Sequence, residues 1–269
     1  EVPEAFGAPV TLADLMTHSA GFDEYVIGLF GRDAATLQPL GQLLEEQLPA
    51  RIRAPGDLIS YSNHGTALAA YVVEQVTGEP WRSWVEREIL EPLGLDSTSF
   101  SQPLGERLAG RLSEGYRHQG GAFEAGGFEY IPLAPAGAAS SSANDMARLA
   151  RAYLNLGELE GKRILSEQAA RTMQETLFRS AEGVNGMAHG FMELDRNGVR
   201  ILGHGGDTDY FHTLFVFFPE HDLGLFASFN TAGADWTALF EESVDHLFPW
   251  QPGATASSAT VELDSFTGW

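Results

Sequence analysis

The sequence predicts an α+β protein, with helices first and an antiparallel sheet last. Three observations predict it. Capped helical stretches recur through the first 174 residues. Four short runs rich in aromatic and aliphatic residues then follow one another at 189–194, 200–205, 211–218 and 223–229, separated by Asn/Gly or Pro/His/Asp turns, as in consecutive antiparallel strands. A single helix after Asp235 closes the pattern. Helices, then a strand meander, then one helix is an α+β layout rather than an alternating α/β one.

Residues 1–10 read as an extended entry. Thr11 with Asp14 three residues on is a capping-box pattern for a short helix that Gly21 stops. Residues 22–38 read as loop and 39–48 as a short helix. Arg53-Ala54-Pro55-Gly56 is a turn signal. An amphipathic helix follows over 64–77, with Leu68, Val72 and Val76 on one face beside Ala69 and Val73, and Gly78 as its stop. Pro80 opens another helix and Leu93-Gly94 closes it. Residues 101–139 read as irregular and Gly-rich. Ser142 with Asp145 starts a helix that runs to about Leu156-Gly157, and Ser166 starts one that runs through Met173. In the strand region, Leu214–Phe218 is apolar at every position, which predicts burial on both faces. The last helix places Trp236, Leu239, Phe240, Val244 and Leu247 on one face and ends at Pro249. A four-stranded meander whose outer face is covered only by that helix is expected to be an incomplete sheet. Three regions result: a mainly helical part over 1–180, the sheet and last helix over 181–250, and a Pro/Gly/Ala/Ser/Thr-rich linker over 251–269 leading towards a further domain.

Composition narrows the function classes. With 37 acidic against 16 basic residues the net charge is -21, which excludes nucleic acid as an expected partner and disfavours anionic membrane surfaces. No stretch approaches a membrane span, and no signal peptide opens the chain at Glu1-Val2-Pro3-Glu4. There is no cysteine, so thiolate chemistry is absent. Eight histidines are present without a His-Glu-x-x-His or comparable cluster, so no metal or other cofactor is expected. Fifteen of the 16 basic residues are Arg, and Lys162 is the only lysine.

Two triplets carry the chemistry: Tyr61-Ser62-Asn63 and His204-Gly205-Gly206. Three further stretches stand in order around them: Leu15-Met16-Thr17-His18-Ser19-Ala20-Gly21, Pro92-Leu93-Gly94-Leu95-Asp96-Ser97-Thr98-Ser99-Phe100, and Ala134-Pro135-Ala136-Gly137 followed by Ser140-Ser141-Ser142. Together they resemble the penicillin-recognising serine hydrolases over roughly residues 8–250, closest to the class C β-lactamase, DD-carboxypeptidase and D-aminopeptidase branch. The resemblance implies a β-lactamase/transpeptidase-like fold, an antiparallel sheet flanked by helices plus a mainly helical subdomain. It also implies a small-molecule or peptide substrate and a periplasmic or secreted setting.

The family's first motif, a Ser followed three residues later by Lys, has no counterpart, because the residue three before Lys162 is Leu159. In the family that motif precedes the stretch matched here at residue 15. The expectation is therefore that the nucleophile, a first helix and the first strands lie outside this chain, on a longer protein or a separate N-terminal fragment. Leu263–Trp269 resembles the opening of a β-rich C-terminal domain of relatives.

The resemblance also assigns roles. Tyr61 would shuttle a proton between nucleophile and leaving group, for which it needs positive neighbours. Asn63 would bond the substrate amide and hold the missing Lys. His204 would donate to Tyr61 or to a substrate carboxylate. The N–H of Asp207 would form half of the oxyanion hole, and Ser62, Gly205 and Gly206 would line the substrate site. Plainer readings stand beside these. Asn63 can be a helix N-cap, Tyr61 a half-buried core aromatic, and His204-Gly205-Gly206 a strand running into a turn. His18 reads as structural, Ser140–Ser142 as capping residues and Lys162 as part of a solvated turn. Three functions compete: a serine hydrolase acting through an acyl-enzyme, with this chain alone inactive; an inactive module that binds peptidoglycan or D-amino-acid peptides; and a metallohydrolase using His189, His204 and His212.

Overall fold

The computed structural model describes residues 2–250, so the predicted linker and domain opening over 251–269 lie outside the described residues. Local chemistry sets the helix starts. Thr11 and Asp14 form a reciprocal capping box on α1 (Leu12–Met16). After α2 (Leu40–Glu46) comes α3 (Asn63–Thr77), which ends where Gly78 turns left-handed at φ 75°. α4 (Trp81–Val85) passes through a π-helical turn at Glu86–Leu90 into α5 (Glu91–Leu93). Ser142, Ser166 and Asp235 each cap the helix expected after them: α8 (Ala143–Leu154), α9 (Glu167–Gln174) and α10 (Trp236–Leu247).

The stretch 101–139 is more ordered than the sequence suggests. It holds α6 (Glu106–Ala109), a hairpin of β1 (Tyr116–Gln119) and β2 (Ala122–Ala125), and α7 (Ala134–Gly137). The hairpin turns on Gly120-Gly121, both at positive φ, as a two-residue loop requires. A smaller hairpin joins β3 (Glu158–Leu159) to β4 (Lys162–Arg163), with Lys162 exposed.

The main sheet is antiparallel, in the order β5 (Met192–Glu193), β6 (Leu202–Asp207), β7 (His212–Phe218) and β8 (Leu223–Phe229). β7 is buried on both faces, as its apolar run predicts. Leu214, Val216 and Phe218 pack on Phe240 and Val244 of α10. Phe215 and Phe217 turn the other way, onto Ala150 of α8 with Met146, Leu149 and Tyr153 around them. The C-terminal helix thus covers one face of the sheet, and α8, whose apolar side chains recur at helical spacing, covers the other. The helical part is organised around α3, whose Ala67 packs with Leu43, Leu44 and Leu133, while Leu15 and Phe22 bury the start of the chain nearby. Among the described residues no helix is long and apolar enough to cross a membrane.

Candidate active site

The two triplets, far apart in sequence, meet at the end of β6. The ring of Tyr61 lies 5.7 Å from that of His204 and 4.4 Å from that of His18, so the three rings form a row. Tyr61 immediately precedes α3 with its cap, and His204 sits on β6 opposite Phe215. The site is thus built where the helical part abuts the sheet.

Ladder alternation shows what the strand end offers. In an antiparallel pair, successive residues point their N–H and C=O groups alternately to one neighbour and the other. Ile201 bonds towards β5 through Leu194, and Thr208 bonds towards β7 through Phe211. Counting from either anchor, Gly205 and Asp207 direct their backbone groups to the β5 side. β5 ends its pairing at Gly203. The Asp207 N–H therefore faces the open edge beside His204. The Asp207 carboxylate is occupied elsewhere. It pairs with His212 Nδ1 at 2.6 Å and accepts from the Trp236 indole at 3.0 Å. His212 Nε2 accepts from the Gly233 N–H at 3.1 Å, so both ring nitrogens of His212 are used. The glycines answer to packing: a Cβ on Gly205 would lie 2.2 Å from the Trp236 ring, and one on Gly206 would lie 2.4 Å from Thr213 Oγ1.

In Tyr61-Ser62-Asn63 the capping falls to Ser62. Ser62, expected against substrate, is buried, and its hydroxyl accepts from the Gly65 N–H at 3.0 Å as the N-cap of α3. Asn63 is not the cap but the first helical residue. Its side-chain Nδ2 donates to Glu24 Oε1 at 2.7 Å, and its N–H donates to the same carboxylate at 3.1 and 3.2 Å. A carboxylate only accepts, so the amide orientation is fixed and Oδ1 faces the Tyr61 hydroxyl, 3.4 Å away.

Within this chain burial, and then the charge of Glu24, raise the Tyr61 pKa. Tyr61 is thus held as a phenol, a proton donor. His18 adds no cation. Burial, and then the charge of His204, lower it to about 4. Its Nδ1 accepts from the Ser62 N–H at 3.1 Å, so the neutral ring carries its proton on Nε2 and serves as a structural prop for Tyr61. His204 Nδ1 contacts the Gly205 carbonyl, which can only accept, so neutral His204 presents Nε2 as an acceptor and donates there only when protonated.

Two residues that the sequence did not flag complete the site. One is Glu24. The other is Glu129, whose side chain is only 6% exposed. Its carboxylate accepts from the Asp209 N–H at 2.8 Å and the Thr208 hydroxyl at 2.7 Å, clamping the turn directly after Asp207. Arg32 pairs with Asp209 on the same turn and lies 4.7 Å over the Tyr210 ring. Neither acid lies in a local pattern; each acts on residues distant in the chain. Among the expected bystanders, Ser142 is a cap and Ser141 shares a hydrogen bond with Thr98. Among the described residues no three His, Asp or Glu side chains converge as a metal site.

A family model described as Beta-lactamase matches residues 1–247. An unguisins hydrolase of Aspergillus campestris (strain IBT 28561) is 28% identical over 82% of this chain, which spans 42% of that protein. Penicillin-binding protein 4 of Amycolatopsis lactamdurans is 26% identical over 88% of this chain, which spans 64% of it. Among solved structures, the octameric penicillin-binding protein homologue from Pyrococcus abyssi superposes with a TM-score of 0.73 at 20% identity, covering 90% of this chain and 56% of that one. The chain thus spans under two thirds of the length of the curated relatives it matches.

Proposed function

We propose, on the premise that this chain belongs to the β-lactamase family and has its α+β fold, that the protein is a serine hydrolase of the β-lactamase/DD-peptidase type. It attacks an amide, lactam or ester carbonyl, forms an acyl-Ser and releases it to water. The observation that carries the reading is the convergence of Tyr61, Asn63 and His204 beside the open N–H edge of β6.

The geometry supports a role for each residue. The Asp207 N–H receives the negative charge that develops on the carbonyl oxygen. Tyr61, held protonated, donates to the leaving group, with the His204 ring beside it. Asn63 offers Oδ1 to a cation, with its amide turned by Glu24. What these residues lack is a nucleophile. With one lysine and no Ser-x-x-Lys in 269 residues, the Ser and Lys belong to a segment outside this chain, and the chain alone is inactive. The setting that accompanies the reading is periplasmic or secreted.

The experiment is to read the coding frame upstream of Glu1 and assay the protein it encodes on a D-alanyl-D-alanine peptide, a chromogenic cephalosporin and a p-nitrophenyl ester. The reading predicts an upstream Ser-x-x-Lys and turnover of at least one substrate, with Tyr61→Phe lowering kcat by about 100-fold, the scale of one positioned proton donor. A frame without that motif, and saturable binding without turnover, would instead favour an inactive module for peptidoglycan or D-amino-acid peptides.

A further inference from the structure

The turn after Asp207 is not set by its own residues. The Thr208 N–H bonds to the Phe211 carbonyl at 2.8 Å, so Asp209 and Tyr210 alone join β6 to β7. A two-residue connection that follows the strand twist places one or both residues at positive φ, and neither Asp209 nor Tyr210 is there. The Phe211 N–H, which in a closed turn would bond to the Thr208 carbonyl, bonds to the Thr208 hydroxyl at 3.0 Å. The turn is held from outside. Gly31 and Tyr130 pair across an antiparallel bridge, with N–O distances of 2.6 and 2.9 Å, which sets Arg32 opposite Glu129. Both side chains reach the turn. A carboxylate only accepts, so the Thr208 hydroxyl gives its one hydrogen to Glu129 and turns its lone pairs to the Phe211 N–H. Glu129 also accepts from the Asp209 N–H, and Arg32 pairs with the Asp209 carboxylate. Tyr210 is packed so closely that a Cβ on Gly126 would lie 2.1 Å from its ring. On the other flank the Asp207 carboxylate is anchored by His212 and Trp236. The Asp207 N–H thus stands between two anchors, and every group in both belongs to the described residues.

We propose that Glu129 is a positioning residue for the reaction: with Arg32 it fixes the turn that follows Asp207 and so aims the Asp207 N–H into the cleft. Glu129 acts through the backbone rather than on substrate, and it supplies the constraint that Asp209-Tyr210 lacks. This inference rests on the hydrolase reading for the part the Asp207 N–H plays in the chemistry. The aim of that N–H is a property of the 269-residue chain and is measured on it.

The test has two arms. In the first, backbone amide NMR spectra of the 269-residue chain are compared with those of Glu129→Ala. The Asp207 and Asp209 cross-peaks move and broaden in the variant, while that of Val216, in the middle of β7, stays in place. In the second, the product of the full reading frame is assayed on p-nitrophenyl acetate. Glu129→Ala lowers kcat by about ten- to one hundred-fold, the scale of an oxyanion donor displaced rather than removed. KM stays within about three-fold, because the interaction is made in the transition state. Glu129→Gln, which keeps an acceptor for the Asp209 N–H, recovers most of the loss. An Asp207 cross-peak unmoved in Glu129→Ala, an unchanged kcat, a loss carried by KM alone, or a Glu129→Gln as slow as Glu129→Ala overturns the proposal. Should Glu129→Ala not fold, Arg32→Ala loosens the same turn from its exposed side and takes its place in both arms, with the same directions expected. Failure of the hydrolase reading shows separately, as an upstream frame without Ser-x-x-Lys, while the Asp207 cross-peak still decides whether Glu129 sets the aim of that N–H.

Discussion

Glu193 and Glu24 are two acids withdrawn from solvent, and the molecule treats them in opposite ways. The Glu193 side chain is fully buried on β5, and everything around it donates: Thr176, Arg179, Arg200 and the Gly186 N–H. Burial alone would raise its pKa. The hydrogen bonds from Thr176, Arg179 and Gly186 outweigh that, with the charge of Arg179, and hold it at about 2. Glu24 is half-buried at the start of α3 with amide donors only. The first acid closes a network that ties residues 176–200 to the sheet. The second leaves a charge open beside Tyr61. One kind of residue thus braces the fold where the chain supplies its cations, and keeps an open charge where the described residues supply only amides.

The largest expected effect tests the braced side. Glu193→Ala strands the half-buried guanidinium of Arg200 and unpairs the more exposed Arg179, and removing the buried member of such a network costs about 2 kcal/mol or more once the exposure of the arginines is discounted. Urea unfolding should show that loss; a change under about 1 kcal/mol would deny the network its bracing role.

Acid should separate the two regions by pH. Burial lowers His64, like His18, to about 4 from 6.5. A base whose folded pKa is depressed must take up a proton on unfolding, so its stabilisation is present above 6.5 and is lost as pH falls from 6.5 towards 4. Glu193 is also depressed, from 4.5 to about 2, so its share holds above 4.5 and is lost between 4.5 and 2. His64→Leu should therefore lessen the fall in stability between pH 6.5 and 4 by about 1–2 kcal/mol, one unit of pKa being worth about 1.4 kcal/mol. Glu193→Gln should flatten only the lower window. Identical pH profiles for the unaltered protein and His64→Leu would show that His64 titrates as it does in the unfolded chain.

Smaller effects sharpen the site itself. Ser62→Ala removes an N-cap and costs about 1 kcal/mol, yet should leave ligand affinity unchanged; a loss of affinity out of proportion would return Ser62 to the substrate. Glu24→Gln should change stability by less than about 1 kcal/mol, since Gln keeps an acceptor for Asn63. It should also lower the Tyr61 pKa, read as tyrosinate absorbance against a Tyr61→Phe blank. An unmoved titration would mean the carboxylate does not act on the phenol.

What was legible in the sequence divides along the same line. Caps are local chemistry, so Thr11, Ser142, Ser166 and Asp235 announced their helices. The apolar run Leu214–Phe218 announced a strand buried on both faces. Hairpin β1–β2 was missed because its strands are almost wholly exposed and carry no apolar alternation, although Gly120-Gly121 was a turn signal. α8 as the second cover of the sheet was missed because its partners lie about 60 residues further on. In the site, Tyr61, Asn63 and His204 stood in recognisable triplets and the structure brings them together. Glu24 and Glu129 did not, since each acid acts on a backbone or amide brought to it only by the fold. The cap fell to Ser62 rather than Asn63 because adjacent residues at a helix start are both good caps, and only the backbone conformation chooses between them.

The most direct measurement of the account is covalent labelling by a fluorophosphonate and a fluorescent penicillin, applied in parallel to the 269-residue chain and to the product of the full reading frame. The account predicts no label on the chain, and a single label on the longer product that maps to a Ser three residues before a Lys and is slowed by Tyr61→Phe. Label on a serine within the 269 residues, or none on the full product, would contradict it.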